Sequence, residues 1–191
     1  MARRALHLMG EQTQRMEGLV NDLLTLSRLE NDQNPLREET VEVPGLLEEI
    51  YHEGQLLSNG KHAIRLQMDS LANLLGNREE LRSAFTNLMT NAIRYTPEKG
   101  EIALSWAESE GQPIYSVRDS GIGIAPHHIP RLTERFYRVD RSRSRETGGT
   151  GLGLAIVKHI AMRHQAKLEV ISEEGKGSTF TLVFPAKRIA G

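Results

Sequence analysis

The sequence has no cysteine, no long apolar run and almost no net charge. Over 191 residues, the lack of cysteine excludes disulfides and thiolate metal sites and indicates a reducing compartment. No stretch approaches the ~18 consecutive apolar residues of a membrane-spanning helix, and no secretory signal pattern is present. The formal net charge of −1 argues against a general nucleic-acid binder.

Apolar residues are nevertheless frequent enough for a core. They make up 38% of the chain, beside 26% charged residues, which is ordinary for a globular protein. The length fits one domain with an appendage, or two small domains.

The first part of the chain has the periodicity of a long amphipathic helix. The stripe predicts a helix of a bundle or coiled coil; the alternative is an ordinary amphipathic helix packed on its own domain. Because the pattern already runs at its first apolar position without a cap, we expect a piece of a longer chain. The sequence "ENDQNP" then predicts a linker. The apolar positions of the stripe are Leu6, Met9, Met16, Leu19, Val20, Leu23, Leu26 and Leu29.

The remainder alternates short strands with helices. Six segments are typical of strands, namely "TVEV", "HAIRLQM", "EIALSWA", "PIYSVRD", "KLEVIS" and "STFTLVF", and the last four are predicted to form two hairpins. Residues 44–57 are predicted to form a helix that buries Leu46, Leu47, Ile50 and Leu57. Without strict βαβ alternation, the pattern predicts a mixed or antiparallel sheet with helices on one face.

Two further helices have recognisable starts. Asn77 followed by Glu80 predicts a capping box for a helix that reaches about Tyr95. A second helix, over about residues 151–164, begins directly after a glycine-rich stretch. This stretch, "ETGGTGLGLAIVKHI", follows the basic run "RVDRSRSR".

Glycines in front of a helix predict a phosphate site. Glycine lets a ligand approach the backbone closely, and a helix start presents unpaired N–H groups. The stretch is not a Walker loop, since no G-x-x-x-x-G-K-[ST] occurs in the chain. It is not a Rossmann fingerprint either, because no strand precedes it and its spacing is G-x-G-x-G.

The stretch "NLMTNAIRY" places Asn87 and Asn91 on one face of the long helix. Asparagine is a poor choice inside a helix, so this pair indicates a function. A neutral amide oxygen can complete the shell of a Mg²⁺ ion whose other ligands are water and phosphate, with Arg94 on the phosphates. Two exposed polar residues on a solvated face are the alternative.

The stretch "RDSGIGIAP" ends a predicted strand with Asp119 and continues into a tight glycine loop. A carboxylate only accepts hydrogen bonds, so it matches the exocyclic amine of adenine and repels the carbonyl of guanine. A β-turn that begins with aspartate is the alternative.

Taken in order, five motifs resemble the ATP-binding domain of sensor histidine kinases. These are "NLMTNAIRYT", "DSGIGI", "ERFYRVD", "GGTGLGLAIVK" and "GKGSTFTLVFP". The resemblance implies an α+β fold, the two-layer α/β sandwich known as the Bergerat ATP-binding fold, with an N-terminal amphipathic helix from a dimerisation hairpin. Within the family, "MGEQTQRMEGLVNDLLTLSRLE" and "IPRLTERFYRVDRSRSRETGG" are most similar to the phosphate-regulon sensor kinases.

The resemblance also implies a division of the chain. Residues 1–31 would be the second helix of the dimerisation and phosphotransfer hairpin, 32–43 the linker and first strand, and 44–191 the catalytic ATP-binding domain.

By position, the resemblance assigns ATP and Mg²⁺ as ligands. Asn91 would bind Mg²⁺, with the catalytic residues Asn87, Arg94 and Arg138 near the phosphates. Tyr95 would lie beside the nucleotide. The remaining nucleotide-binding positions would be Asp119, which reads adenine; Gly121 and Gly123, which shape the base pocket; Gly149, Thr150, Gly151, Leu152 and Gly153 at the phosphates; and Thr179 behind adenine. Residues 138–147 would form a lid.

The chain departs from the family in its histidines. None of the seven has the acceptor context of the family, and "HEGQL" after His52 lacks the expected Arg and Pro. We therefore assign no catalytic histidine and expect no autophosphorylation. The acceptor would lie on a hairpin helix that this sequence lacks.

The resulting expectation is the catalytic portion of a histidine kinase that works with an OmpR/PhoB-like response regulator. The intact protein would be a homodimer in the inner membrane, with this part cytoplasmic. An ATP hydrolase or clamp of the gyrase/Hsp90 type is the alternative, but its Glu base is replaced by Asn87, which cannot take a proton. Intact motifs disfavour an inactive scaffold. The basic run lacks aromatic residues for nucleic-acid binding.

Overall fold

A computed structural model describes residues 2–31, 35–139 and 149–190, without the side chains of residues 2–8 and 11. The described helices are α1 Ala2–Glu30, α2 Val43–Ser58, α3 Arg78–Tyr95 and α4 Gly153–Arg163. The strands are β1 Glu39–Val41, β2 Ala63–Met68, β3 Asn73–Gly76, β4 Glu101–Ser109, β5 Gln112–Asp119, β6 Lys167–Glu173, β7 Gly177–Val183 and β8 Ile189–Ala190. Short 3-10 helices span Pro126–Arg131 and Ala186–Arg188.

The main sheet has five strands in the order β2-β4-β5-β7-β6. Strand β2 pairs with β4 in parallel, and the other pairs are antiparallel. Alternate residues of the central strands are buried under the helices, among them Trp106 of β4, Tyr115 of β5 and Leu182 of β7. The predicted α+β class, with a mixed sheet and two hairpins, is confirmed.

A second sheet of three strands, β1-β3-β8, was not predicted. Its strands β3 and β8 contain four and two residues, too few to show a period. Arg188, at the end of the 3-10 helix before β8, forms an ion pair with Glu38 and donates to the Leu75 carbonyl oxygen at 3.2 Å. These contacts hold the C-terminal strand against β3.

Helix α2 is confirmed, with one error on its inner face. Leu46, Leu47 and Ile50 are fully buried, whereas Leu57 is 60% exposed. The helix ends at Asn59, which adopts a left-handed conformation with φ of 47°. Leu57 therefore lies on the outer side of the final turn, where the prediction had placed it in the core.

Helix α3 begins with only half of the predicted capping box. The Asn77 side chain accepts a hydrogen bond from the Glu80 N–H at 3.0 Å. The reciprocal bond is not formed, because the Asn77 N–H donates instead to Nε2 of His164 at 3.1 Å. The Glu80 carboxylate pairs with the Arg163 guanidinium at 3.0 Å. Both exchanges tie the start of α3 to the end of α4.

Helix α1 is confirmed, and its C-terminal end packs on the domain. Leu26 and Leu29 are buried, and the helix lies against α4. Leu19 is partly buried against the core. Four other apolar positions of the stripe are open: Met16 is 66% exposed, and Met9, Val20 and Leu23 are exposed as well. The helix thus has one docked end and one unpartnered apolar stripe within the described residues.

No helix among the described residues is both long enough and apolar enough to cross a membrane.

Candidate nucleotide-binding site

A cavity of about 710 Å³ opens between α3, the ends of β5 and β7, and the loop that leads into α4. Helix α1 forms part of its wall. Eleven of the fourteen predicted site residues line it: Asn87, Asn91, Arg94, Tyr95, Asp119, Gly123, Arg138, Gly149, Thr150, Gly151 and Gly153. Predicted residues from four of the five motifs therefore meet in one place.

Asp119 lies at the end of β5 and is almost fully buried. Its Oδ1 accepts hydrogen bonds from the backbone N–H groups of Gly121 at 2.8 Å and Ser178 at 3.3 Å. Among the residues that the structure describes, none donates to Oδ2. Burial raises the pKa of this carboxyl group, and the two backbone hydrogen bonds partly offset that rise. The site thus holds one acceptor oxygen ready for a ligand amine.

The glycines after Asp119 are required by close packing. A Cβ on Gly121 would lie 2.5 Å from the Tyr95 carbonyl oxygen and 2.6 Å from the Asp119 carboxylate. Gly123 has φ of +66° and would clash with the backbone of Glu173. Gly121 itself does not line the cavity; it supports the wall by holding Asp119.

The polar face of α3 forms the opposite wall. Asn87, Asn91 and Arg94 all line the cavity, as the four-residue spacing predicted. The Asn87 side chain donates to the Ser83 carbonyl oxygen at 2.8 Å. Its Oδ1 lies 2.6 Å from the position that a Cβ on Gly153 would take. A side chain at Gly153 would therefore have to displace the Asn87 amide where the first turn of α4 meets α3.

Cationic groups gather beside the loop that precedes α4. A Cβ on Gly149 would lie 3.0 Å from Nη1 of Arg94 and 3.4 Å from Nη2 of Arg138. Burial lowers the pKa of Arg138, and the positive charges of Arg15 and Arg94 lower it further, against a raising effect from Tyr95. This end of the cavity therefore carries several positive charges and is suited to an anion.

Thr150 organises the same loop. Its hydroxyl accepts a hydrogen bond from the Leu152 N–H at 3.2 Å and donates to the Asp22 carboxylate of α1 at 2.6 Å. Leu152 is fully buried and precedes α4, so it anchors the helix start in the core rather than lining the cavity.

Thr179, which the resemblance assigns to a position behind adenine, does not line the cavity. Side chains alternate along a strand, and it is Ser178 and Phe180 that line the cavity, so Thr179 points to the other face of β7. Ser178 also makes the backbone contact to Asp119. Of this motif, Ser178 and Phe180 therefore contribute to the cavity wall and Thr179 does not.

The sequence did not reveal several other lining residues. Apolar ones come from the loop after β5 and from its 3-10 helix, such as Ile124 and Leu132. His128 and Tyr137 also line the cavity, with the His128 Nδ1 2.5 Å from the tyrosine hydroxyl. Helix α1 adds Gln14, Arg15, Gly18 and Asp22. Ile124 and Tyr137 lie within two of the five motifs, but no polar or glycine pattern distinguished them there; the others lie outside the motifs.

The predicted lid is described only in part. Arg138 lies in the structure, but Arg141, Arg143, Arg145 and Gly148 fall within residues 140–148, outside the described ranges.

The described residues contain no cluster of three or more His, Asp or Glu side chains that could hold a metal ion. The wall that α3 forms offers the neutral amides of Asn87 and Asn91 beside Arg94. Such a set fits a Mg²⁺ ion that arrives with phosphate oxygens and keeps several waters.

Comparison with known proteins identifies the family. Residues 76–188 match the family of histidine kinase-, DNA gyrase B- and HSP90-like ATPases, and the chain belongs to this family. The matched range contains every predicted site residue.

Its relatives narrow the class to sensor histidine kinases. The chain is 52% identical to the phosphate regulon sensor protein PhoR of Pseudomonas aeruginosa over 188 residues, which cover 98% of this chain and 42% of that protein. It is 37% identical to the PhoR of Haemophilus influenzae over 187 residues, covering 98% of this chain and 44% of the relative. The chain thus spans less than half the length of these relatives. The predicted resemblance to phosphate-regulon sensor kinases is confirmed.

Solved structures agree with the fold. Full-length ShkA in complex with AMPPNP is 29% identical with a TM-score of 0.82, covering 98% of this chain and 38% of ShkA. The Acinetobacter baumannii histidine kinase AdeS is 25% identical with a TM-score of 0.77, covering 96% and 84% of the two chains. The coverage of both includes α1 as well as the domain.

Proposed function

We propose that this chain is the ATP-binding catalytic portion of a two-component sensor histidine kinase that acts in phosphate-starvation signalling. The observation that carries the proposal is the cavity itself. It joins one buried carboxylate at one end to a set of arginines and helix-start N–H groups at the other. A molecule with an amine-bearing base and a polyphosphate matches both ends.

Adenine would bind at the Asp119 end. The 6-amino group would donate to Oδ2, while Gly121 and Ser178 keep Oδ1 occupied and the side chain fixed. A guanine carbonyl at the same place would oppose a carboxylate, leaving two acceptors unpaired. Phe180 and Ile124 line the wall and would pack on the ring.

The triphosphate would lie between α3 and the loop before α4. Arg94 and Arg138 would neutralise its charge, and the N–H groups at the start of α4 would bind its oxygens. Asn91 is the residue that would hold Mg²⁺. The ion, when bound, neutralises charge on the phosphate oxygens. The AMPPNP in the ShkA complex, an analogue of ATP, supports a nucleotide at this site.

Transfer to histidine would then need mainly positioning and charge stabilisation. An acceptor histidine nitrogen forms a bond to the γ-phosphorus, the bond to the bridging oxygen breaks, and ADP leaves. Asn87 cannot act as a base, because an amide takes no proton. This disfavours hydrolysis of the gyrase/Hsp90 type. The acceptor would be a histidine outside the seven of this sequence.

The wider context is part of the same proposal. Residues 1–31 would belong to a dimerisation hairpin, 32–43 to the linker and first strand, and 44–191 to the catalytic domain. The whole protein would be a homodimeric inner-membrane sensor with this portion in the cytoplasm. It would pass phosphate to an aspartate of an OmpR/PhoB-like response regulator. The two PhoR relatives support this assignment.

Calorimetric titration with ATP and GTP, each with and without Mg²⁺, tests the proposal. We expect ATP to bind, Mg²⁺ to strengthen binding, and GTP to bind at least about tenfold more weakly. Equal affinity for GTP and ATP would refute the base-recognition role of Asp119. No binding of either nucleotide would refute the function.

A further inference from the structure

Helix α1 is docked beside the cavity and forms part of its wall. Gln14, Gly18 and Asp22 are spaced four residues apart, so they share one face of the helix, and all three line the cavity. The Asp22 carboxylate accepts a hydrogen bond from the Thr150 hydroxyl at 2.6 Å. One helix thus holds the phosphate-side loop directly.

The docking has further contacts at the end of α1. The Glu30 carboxylate pairs with Arg135 and lies 3.2 Å from Nε2 of His159 in α4. Leu26 and Leu29 are buried at the same place. A hydrogen bond, charged pairs and buried leucines therefore fix how α1 lies on the domain. They also fix which residues of α1 face the cavity.

Arg15 also lines the cavity, and it is half-buried. Among the described residues, its guanidinium has no hydrogen bond and no ion pair. Asp22, a described carboxylate on the same side of α1, is occupied by Thr150. Withdrawing a cation from water without an anionic partner costs free energy. An anionic ligand in the cavity would supply such a partner to Arg15.

Arg15 lies at the end of the cavity where the phosphates would bind. It lines the same cavity as Arg94 and Arg138, which lie beside Gly149. It is close enough for its charge to lower the pKa of Arg138. The mutual repulsion of three guanidinium groups would be relieved by a polyphosphate between them.

We propose that Arg15 is a further phosphate-binding residue of the nucleotide site, contributed by α1. The inference rests on the proposed function, and it adds that the site is completed by a helix outside the five family motifs. Arginine matches phosphate oxygens bidentately, which a lysine cannot do. By linkage, a nucleoside triphosphate also strengthens the docking of α1, whereas adenosine does not.

Binding of adenosine, ADP and ATP to the whole chain and to its Arg15→Ala variant tests this role. We expect the variant to bind ATP about tenfold more weakly and adenosine as tightly as the unmodified chain. Arg15→Lys should fall between the two. Arg28→Ala is the matched control, because it removes the same charge from an exposed position of α1 that does not line the cavity.

Each other outcome has a definite meaning. Unchanged ATP affinity in Arg15→Ala, or an equal loss for ATP and adenosine, would overturn the role of Arg15. An equal loss in Arg28→Ala would also overturn it, since general charge would then explain the effect. If Arg15→Ala fails to fold, Arg15→Gln replaces it. Failure of the unmodified chain to bind ATP would instead refute the proposed function.

Discussion

The backbone N–H of Asn77 donates a hydrogen bond to Nε2 of His164 at 3.1 Å, so a buried histidine ties the start of α3 to the end of α4. Its other nitrogen, Nδ1, donates to the Ile160 carbonyl oxygen at 2.8 Å. Both nitrogens are thus used by the neutral ring, which fixes the relative position of the two helices beside the arginine-lined end of the cavity.

This arrangement predicts a loss of stability in acid. Burial lowers the pKa of His164, and the charges of Arg188 and Arg163 lower it further, against raising effects from the Ile160 hydrogen bond and Glu80. A lowered folded-state pKa means that the unfolded chain binds the proton more readily. Neutral His164 therefore stabilises the fold fully above its unfolded-state pKa of about 6.5. This stabilisation is lost as the pH falls below that value.

Denaturant unfolding at a series of pH values measures the effect. His164→Ala should lower the free energy of unfolding at neutral pH by about 1–3 kcal/mol, because the Asn77 N–H is left unpaired, and should reduce the acid dependence. His127→Ala, at an exposed position, is the control and should change neither. An undiminished acid dependence in His164→Ala would contradict the assignment.

Asp119→Asn should separate base recognition from folding. The amide oxygen can still accept from Gly121 and Ser178, but an NH₂ group replaces Oδ2 and opposes the adenine amine. We expect ATP affinity to fall by about tenfold or more, with a relative gain for GTP. The thermal unfolding midpoint should not fall at neutral pH, because ionising a buried carboxyl with a raised pKa costs stability. A tight ATP complex of Asp119→Asn would contradict this role.

The raised pKa of Asp119 also predicts how ATP affinity depends on pH. Binding needs the carboxylate form, so affinity should fall as the pH drops through a value above the ordinary 3.8 of aspartic acid. Asp119→Asn should lack this component. Calorimetry of the unmodified chain and of Asp119→Asn over the same pH range separates the effect of Asp119 on ATP affinity from that of phosphate protonation.

Gly151→Ala should impair nucleotide binding more than folding. Gly151 has φ of +77°, and an added Cβ would lie 3.0 Å from the Cα of Phe136, whose N–H donates to the Gly151 carbonyl at 2.9 Å. A side chain would thus displace the segment that carries Arg138. We expect a loss of about 1 kcal/mol in stability and about tenfold or more in ATP affinity.

Gly60→Ala supplies the matched control for that experiment. Gly60 has a similar φ of +75°, and nothing lies within 4 Å of an added Cβ. It should cost similar stability and leave ATP affinity unchanged. Equal effects of the two substitutions on ATP affinity would show that backbone strain alone, rather than contact with the phosphate site, explains the loss.

Local patterns in the sequence predicted the helices, the main sheet and most of the cavity, since spacing within a motif fixes which side chains share a face. Asn87 and Asn91 illustrate this. Features that depend on partners distant in the sequence were not predictable. The second half of the capping box is missing because the Asn77 N–H is bound by His164 and the Glu80 carboxylate by Arg163. Thr179 was assigned one residue away from the position that strand alternation places in the cavity.

The role of α1 was missed for a similar reason. Its apolar stripe predicted a helix, but Arg15 and Asp22 line the cavity only because the helix docks across the cavity wall. Nothing in the local sequence distinguishes them from solvent-exposed polar residues. The strands β3 and β8 were not predicted either. Each is too short to show a strand pattern in the sequence, and it is their pairing with each other that makes them strands.

The most direct measurement of kinase function is phosphotransfer in trans. The chain is incubated with Mg²⁺, ATP carrying a radioactive γ-phosphoryl group, and a separately produced histidine-bearing hairpin domain from the Pseudomonas relative. We predict acid-labile, base-stable label on the hairpin histidine, no label on this chain, and loss of transfer in Asp119→Asn. Release of inorganic phosphate with an unlabelled hairpin, or label on one of the chain's own seven histidines, would contradict the proposed function.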